Sequence, residues 1–352
     1  MWNLYRDGVS SSLLSSFIVG RERFLLNVFG QLRSSQFNFP MTYGTLFTNM
    51  IESPDQALQL AIATQEKLSA RHPTETDEIE KLCYLAPQQF KHYQSNYESN
   101  DTKILKHEQN FRTLHKQTRI PLVGSIDAVA QDKTGDVWLL ETKCRGRYDD
   151  AEIESTLHKN FQTMFYWIAY FPQLKKLGNP QGVILNLIRR PNSDPNIRQR
   201  KGRGKAKTGA ETNREFYDRI LADISNKPNS LNDKPNGYTH YFKRFSVQIT
   251  QPEAILYNNR YLTKYIYQLK NWYDWFLKHT KKKPGEDLDP QQIIDCRHLN
   301  PYHYEFPIGT FHAVSMGFKD TYWHYINTGS KQGLETYDQA TDPYWQHITK
   351  PK

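Results

Sequence analysis

The stretch VWLLETK at residues 137–143 decides the fold, because four large apolar residues run directly into a glutamate and a lysine. A short apolar run of this kind predicts a buried β-strand. Residues two apart in a strand point to the same face, so Glu141 and Lys143 lie side by side at its end. Charged groups at the end of a buried strand need partners there, and those partners determine the function.

A β-hairpin precedes this point. Residues 119–131 predict the first strand, and the sequence DKTGD at 132–136 predicts the turn, with Gly135 supplying the positive φ angle. Pairing around this turn places Asp127 opposite residue 140 or 141. We therefore expect the carboxylates of Asp127 and Glu141 to lie close together.

A helix and another strand follow the hairpin. Apolar residues at helical spacing predict one long helix over about 151–171, ended by Pro172. The apolar segment GVILNLIRR at 182–190 predicts a buried strand. The order hairpin, helix, strand is typical of an α/β protein with a central mixed β-sheet and a crossover helix packed against it.

The first hundred residues are predicted to be mostly helical. The expected helices cover about 9–30, 43–52, 55–70 and 76–95. Beyond the core, residues 212–226 predict a helix, 241–250 a strand and 252–279 an amphipathic helix, and residues 283–352 are irregular and rich in aromatic side chains.

Residues 191–213 form a glycine-containing basic loop without large apolar residues. It is interpreted either as a solvated linker or as an arm that contacts phosphates, and in the second case binding falls steeply with salt. The nucleic-acid-binding residues predicted in it are Arg198, Arg200, Lys201, Arg203, Lys205 and Lys207.

The amino-acid composition indicates which binding partners and which cellular compartment suit the protein. The 352 residues carry a formal net charge of +9, which favours polyanions, nucleic acid first. The three cysteines are isolated, which argues for a reducing compartment and against a disulfide framework, an iron–sulfur cluster or a structural zinc. No apolar run reaches the roughly 20 residues of a membrane span, and the first residues do not resemble a secretory signal. A cytoplasmic protein is expected, in the host cell if its source is viral.

The acidic pair predicts a metal site. Asp127 and Glu141 stay ionised together only if a cation lies between them, and Mg²⁺ suits carboxylate and carbonyl ligands, including the Thr142 carbonyl. Lys143 can then orient or deprotonate a water, or stabilise a developing negative charge. This is a site for metal-assisted phosphodiester hydrolysis. The alternative is an ordinary salt bridge at the end of a sheet.

Three sequence elements together resemble the PD-(D/E)XK nuclease superfamily, most closely the branch of the RecB nuclease domain, the CRISPR-associated adaptation nucleases and many phage exonucleases. GSID matches G-x-x-D, LLETK matches (D/E)-x-K, and FQTMFY matches Q-x-x-x-Y on the following helix. The matching residues are Gly124, Asp127, Glu141, Lys143, Gln162 and Tyr166.

The resemblance implies a restriction-endonuclease-like core over 101–282, with residues 1–100 as the helical N-terminal part of the same nuclease domain. It implies that Asp127 and Glu141 bind Mg²⁺ or Mn²⁺ and that Lys143 is catalytic. Gln162 and Tyr166 would contact DNA or support the ligands.

The chain departs from this pattern at two places. Thr48 occupies the position of a histidine ligand, and either Asn49, Glu52 or water compensates. Gly20 replaces a cluster-binding cysteine, which implies a form without an iron–sulfur cluster. Glu108 is either an outer residue of the site or a surface residue.

These observations predict a metal-dependent deoxyribonuclease, an exonuclease of recombination, repair or phage DNA processing, with recombination or replication proteins as further partners. The alternative is a nucleic-acid-binding protein on the same fold with weakened catalysis. The sequence does not distinguish the first hypothesis from a nuclease that acts on RNA or modified DNA, because the metal site contacts the phosphate and not the sugar.

Overall fold

A computed structural model describes seven parts of the chain: residues 2–97, 102–146, 150–191, 213–226, 241–281, 330–342 and 345–346. The six basic residues of the predicted arm lie outside the described residues. So does most of the C-terminal segment predicted to be irregular.

The described strands form two sheets. Their bounds are β1 Leu32–Ser34, β2 Lys103–Leu114, β3 Pro121–Gln131, β4 Asp136–Arg145, β5 Asn179–Arg189, β6 Phe242–Gln248 and β7 Leu334–Thr336. The main sheet has the order β2-β3-β4-β5-β6, and β1 pairs with β7 separately. Only β4 and β5 run parallel within the main sheet, and its other neighbours are antiparallel. The predicted α/β architecture with a mixed sheet is confirmed.

Helices flank this sheet on both faces. Their bounds are α1 Leu4–Asp7, α2 Ser11–Val19, α3 Arg21–Val28, α4 Phe39–Glu52, α5 Ala57–Arg71, α6 Thr76–Tyr97, α7 Asp150–Thr156, α8 Phe161–Leu174, α9 Asn213–Asn226, α10 Gln251–Tyr257 and α11 Thr263–Thr280. A π-helical segment, Asn258–Leu262, joins α10 to α11. Within the described ranges, none of these helices has the length and apolarity needed to cross a membrane.

The crossover between β4 and β5 differs from the prediction of one helix ended by Pro172. It consists of α7, a 3-10 turn at Leu157–Lys159, and α8. The Asn160 side chain accepts a hydrogen bond from the Thr163 amide and so starts α8 as a new helix. Pro172 lies inside α8, close to its C-terminal end, where the amide it lacks interrupts few helical bonds.

One further prediction needs correction, and one strand was not predicted. The helix expected over 9–30 is divided at Gly20, whose extended backbone separates α2 from α3. The strand β2 lies before the predicted hairpin and pairs with β3 along most of its length. The alternation of buried and exposed residues along β2 is weak, because Phe111 is its one buried residue and the others are exposed or partly buried.

The core has two main clusters, one on each face of the sheet. The cluster on the α8 side joins the N-terminal helices to α11, and Trp272 lies fully buried among Phe17, Phe24 and Phe276 at centroid distances of 5.2–5.5 Å. Trp2 packs edge-on against Tyr273 in the same cluster. The cluster on the opposite side is built on α4 and α6. The sheet and its crossover are therefore held from both faces.

Gly182 permits the close approach of β5 and β6. A methyl group at this position would lie 1.9 Å from the Val247 carbonyl oxygen, a backbone atom that cannot rotate away. We expect Gly182→Ala to lower the free energy of unfolding by roughly 1–3 kcal/mol, because the strands must separate. Urea denaturation measures this. The matched control Gly20→Ala meets its nearest atom at 3.8 Å and should change stability little, and equal losses in both variants would contradict the steric explanation.

Candidate active site

The hairpin brings Asp127 to the backbone of β4. The pairing of β3 with β4 ends with Ala128 opposite Leu140, which is the register predicted from the sequence. Beyond this point the Thr142 amide donates a hydrogen bond to Asp127 Oδ2 at 2.6 Å. The carboxylate of Asp127 therefore replaces the backbone of β3 as the partner of β4.

Glu141 and Lys143 lie together at the end of β4, as their spacing predicts. Glu141 is buried, whereas the Lys143 side chain remains 35% exposed. The Lys143 amine donates a hydrogen bond to Glu141 Oε1, so the two form an ion pair. Glu141, which is buried, and Lys143, which is partly exposed, both line a small cleft.

The two carboxyl groups are close enough to affect each other's ionisation. Burial raises the pKa of Glu141 to about 7, with a further increase from the charge of Asp127, against the opposing effect of Lys143. Burial also raises the pKa of Asp127, which the Thr142 amide and Lys143 partly offset. Both acids therefore resist ionisation, as expected when like charges share a desolvated site.

Gln162 and Tyr166 lie beside these acids. Gln162 lines the same cleft as Glu141 and Lys143, and its Nε2 donates to Tyr166 Oη at 3.0 Å. Burial and the charge of Glu141 raise the pKa of Tyr166, so it stays a neutral phenol. Ser11 also hydrogen-bonds this hydroxyl. The first turns of α8 thus deliver both predicted side chains to the acidic pair.

Gly124 makes room for this arrangement. A methyl group there would lie 2.9 Å from Phe111 Cζ and 3.3 Å from Tyr166 Cε1. The two rings pack edge to face, with centroids 5.9 Å apart, directly over β3. A glycine three residues before Asp127 therefore has a steric reason, independent of any family pattern.

Two more carboxylates interact electrostatically with Asp127: the charge of Glu108 raises the pKa of Asp127, and the charge of Asp127 raises the pKa of Glu52. Burial, then the charges of Glu108 and Asp127, raise the pKa of Glu52 to about 7. Glu108 lies on β2 between residues paired with Ala128 and Ile126, which places it opposite Asp127. Of the groups considered as compensation for Thr48, Glu52 is the one whose ionisation responds to the acidic pair. Glu108 is exposed, but its charge reaches both neighbours.

Sequence reasoning missed a polar network behind the site. Asn186 is fully buried, and its Nδ2 donates to Tyr93 Oη at 2.9 Å and to Thr142 Oγ1 at 3.3 Å. Arg244 stacks on the Tyr97 ring at 3.9 Å and also contacts Asn186. The network holds Thr142 from the far face of the sheet. Its signal was the single asparagine within the apolar sequence GVILNLIRR.

The donor set suits a hard cation that keeps several waters. It comprises the carboxylates of Asp127 and Glu141 and the Thr142 carbonyl, which points to the same side as the Thr142 amide, where pairing with β3 has ended. Desolvated, mutually repelling carboxylates gain from such an ion. In the described part of the chain, however, no three His, Cys, Asp or Glu side chains form a ready-made metal-binding group. The residues fit Mg²⁺ with water ligands, and not a site closed by protein side chains alone.

The structure thus brings together Asp127, Glu141, Thr142, Lys143, Gln162 and Tyr166. The predicted basic arm, from Arg198 to Lys207, lies outside the described residues. A scan against protein-family models and a search of curated proteins find no match to this sequence.

Proposed function

We propose that this protein is a divalent-metal-dependent nuclease with a restriction-endonuclease-like core that hydrolyses phosphodiester bonds in DNA. The observation that carries the proposal is the convergence of Asp127, Glu141 and Lys143 at the point where β3 and β4 separate. An ion pair with a purely structural role would not need a second carboxylate beside it, since the charge of Asp127 raises the electrostatic cost of burying Glu141.

Each residue has a role that follows from its position. A bound Mg²⁺ would acidify a water and neutralise charge on the phosphate. Asp127 and Glu141 hold the ion, and Asp127 is fixed by the Thr142 amide. Lys143 is exposed enough to turn from Glu141 towards a phosphate oxygen or an attacking water. Gln162 presents its amide to the cleft lined by Glu141 and Lys143, and Tyr166, which accepts a hydrogen bond from that amide, orients it towards the substrate.

The test is degradation of DNA with and without Mg²⁺ or Mn²⁺, on linear and covalently closed circular molecules. We propose exonuclease action, so linear DNA should disappear while circles persist. Nicking of the circle would instead identify an endonuclease. Degradation of an RNA strand of the same sequence shows whether the enzyme distinguishes ribose from deoxyribose. If no substrate is degraded with either metal, the proposal is overturned.

A second candidate is a nucleic-acid-binding protein on the same fold with weakened catalysis. Thr48 supplies no imidazole ligand, and Lys143 is engaged by Glu141 in the structure. Such a protein would retain labelled DNA without cleaving it, and the variant Lys143→Ala would behave like the wild type.

Metal binding should be visible as a pH-dependent gain in stability. The raised pKa values of Glu141 and Asp127 mean that the folded state holds their protons more tightly than the unfolded state does. Their contribution to stability is therefore greatest at low pH and is lost as the pH rises through about 7. Mg²⁺ should raise Tm at about pH 8 by roughly 2 °C or more, and much less at about pH 5.5, where protons compete.

Thermal unfolding followed by circular dichroism measures this effect. In Glu141→Gln both the metal response and part of the pH dependence should disappear, whereas Glu66→Gln, an exposed change on α5, should keep them. An equal gain in Tm at both pH values, or an unchanged response in Glu141→Gln, would show that this pair is not the metal site.

A further inference from the structure

A second cleft, lined by aromatic and basic side chains, adjoins the cleft that contains Glu141 and Lys143, which we call the carboxylate cleft. It has a volume of about 540 Å³, within the range of ligand-binding pockets. Three tyrosines and three basic side chains line it: Tyr257, Tyr261, Tyr265, His158, Lys159 and Arg260. We call it the tyrosine cleft.

The three tyrosines lie in a row. They follow one another at intervals of four residues, which places them on one side of a helix with a gradual drift from turn to turn. The wider π-helical turn between α10 and α11 offsets that drift. The Tyr257 and Tyr261 rings are 5.1 Å apart, and Tyr265 packs on Phe161 at 6.0 Å. Tyr261 is 47% exposed, so a ring face is open to a planar ligand.

The charge of the cleft favours an anion. Lys159 and Arg260 line it, and Glu253, the one carboxylate among the described residues that line it, already accepts hydrogen bonds from the amide and hydroxyl of Thr250 at 2.8 and 2.7 Å. Burial raises the pKa of Tyr257, so its phenol adds no negative charge. Rings beside cations match the bases and phosphates of a nucleic-acid strand.

The two clefts meet at the start of α8. Lys159 lines the tyrosine cleft, and the next residue, Asn160, lines the carboxylate cleft together with Gln162. Neighbouring residues at the start of α8 thus line both clefts, which places the tyrosines beside the cleft that holds Glu141 and Lys143.

We propose that the tyrosine cleft binds unpaired bases of a single-stranded nucleic acid next to the scissile phosphate, which makes single strands the preferred substrate. Stacking needs the open face of a base, and a duplex offers only base edges in its grooves. The position of the scissile phosphate rests on the proposed function, whereas the binding of unpaired bases does not.

The test measures the affinity of labelled oligothymidylate by fluorescence anisotropy, with Ca²⁺ in place of Mg²⁺ to prevent cleavage. Tyr261→Ala should weaken binding roughly 5- to 100-fold, and Tyr261→Phe should restore it, since stacking uses the ring. The control Tyr267→Ala removes a tyrosine of α11 that is 43% exposed and lies outside the cleft, and it should bind like the wild type. Oligouridylate in parallel distinguishes RNA from DNA as the source of the bases.

The outcomes separate this inference from the proposed function. Selective weakening by Tyr261→Ala supports the cleft even if the wild type cleaves nothing, a result that would overturn only the nuclease. Three results would each overturn the tyrosine cleft, even in an active nuclease. The first is equal affinity of Tyr261→Ala and Tyr267→Ala for the single strand, and the second is an equal loss of affinity by Tyr261→Ala for single strands and for a matched duplex. The third is no binding of single strands by the wild type.

Discussion

Replacing Lys143 with alanine is expected to slow metal-dependent DNA hydrolysis by at least about 100-fold while DNA binding stays within a few-fold of the wild type. The lysine forms an ion pair with the buried Glu141, and it lines the cleft into which Gln162 projects. Its loss removes charge stabilisation from the reacting phosphate. It leaves Asp127, Glu141 and the tyrosine cleft in place.

The measurement is a single-turnover time course with Mg²⁺, beside anisotropy with Ca²⁺. Lys67→Ala, which removes an exposed lysine of α5, is the matched control and should cleave normally. Lys143→Arg should recover little activity, because a planar guanidinium does not reproduce a compact ammonium at this position. If Lys143→Ala binds and cleaves like the wild type, the lysine has no catalytic role. A parallel loss of binding and cleavage would assign it to substrate binding instead.

Trp272→Ala is expected to lower the free energy of unfolding by about 3–5 kcal/mol. The indole is 1% exposed and is surrounded by Phe17, Phe24 and Phe276, so its removal leaves a large cavity. These rings belong to three separate helices, and partial collapse cannot fill the space without moving all of them. The loss is large compared with the total stability of a typical domain.

Urea unfolding monitored by circular dichroism gives the value. Trp275→Ala is the matched control on the same helix, since Trp275 is only half-buried and stacks on His279 at the end of α11. Trp275→Ala should lower the free energy of unfolding much less than Trp272→Ala does. Similar losses in both variants would show that helix propensity, and not the aromatic cluster, sets the stability of α11.

The core of the sheet was predictable because its determinants are local. Residues 137–142 are buried on β4, Gly135 takes a positive φ of 88° in the turn, and Ala128 lies opposite Leu140 as the predicted hairpin pairing requires. A turn and an alternation pattern fix the register, and the register alone brings Asp127 to Glu141.

Other features depend on contacts that periodicity does not report. Asn160 caps α8 within a continuous helical pattern of apolar residues, so the pattern alone predicts one helix across 151–171. Tyr265 lies shortly after the π-helical turn, packs against the core cluster on the α8 side and also lines the tyrosine cleft, which the spacing of apolar residues does not indicate. Asn186 gains its importance only from Tyr93, which is distant in sequence.

The two ends of the described chain depend on each other. The Trp2 amide donates to Gln339 Oε1 at 2.8 Å, and the Trp2 ring packs on Tyr273. On the ribosome, α2 and α3 emerge long before α11 exists, so Phe17 and Phe24 lack their contact with Trp272 during most of translation. We therefore expect the aromatic core of the N-terminal helices to close only after α11 has left the exit tunnel.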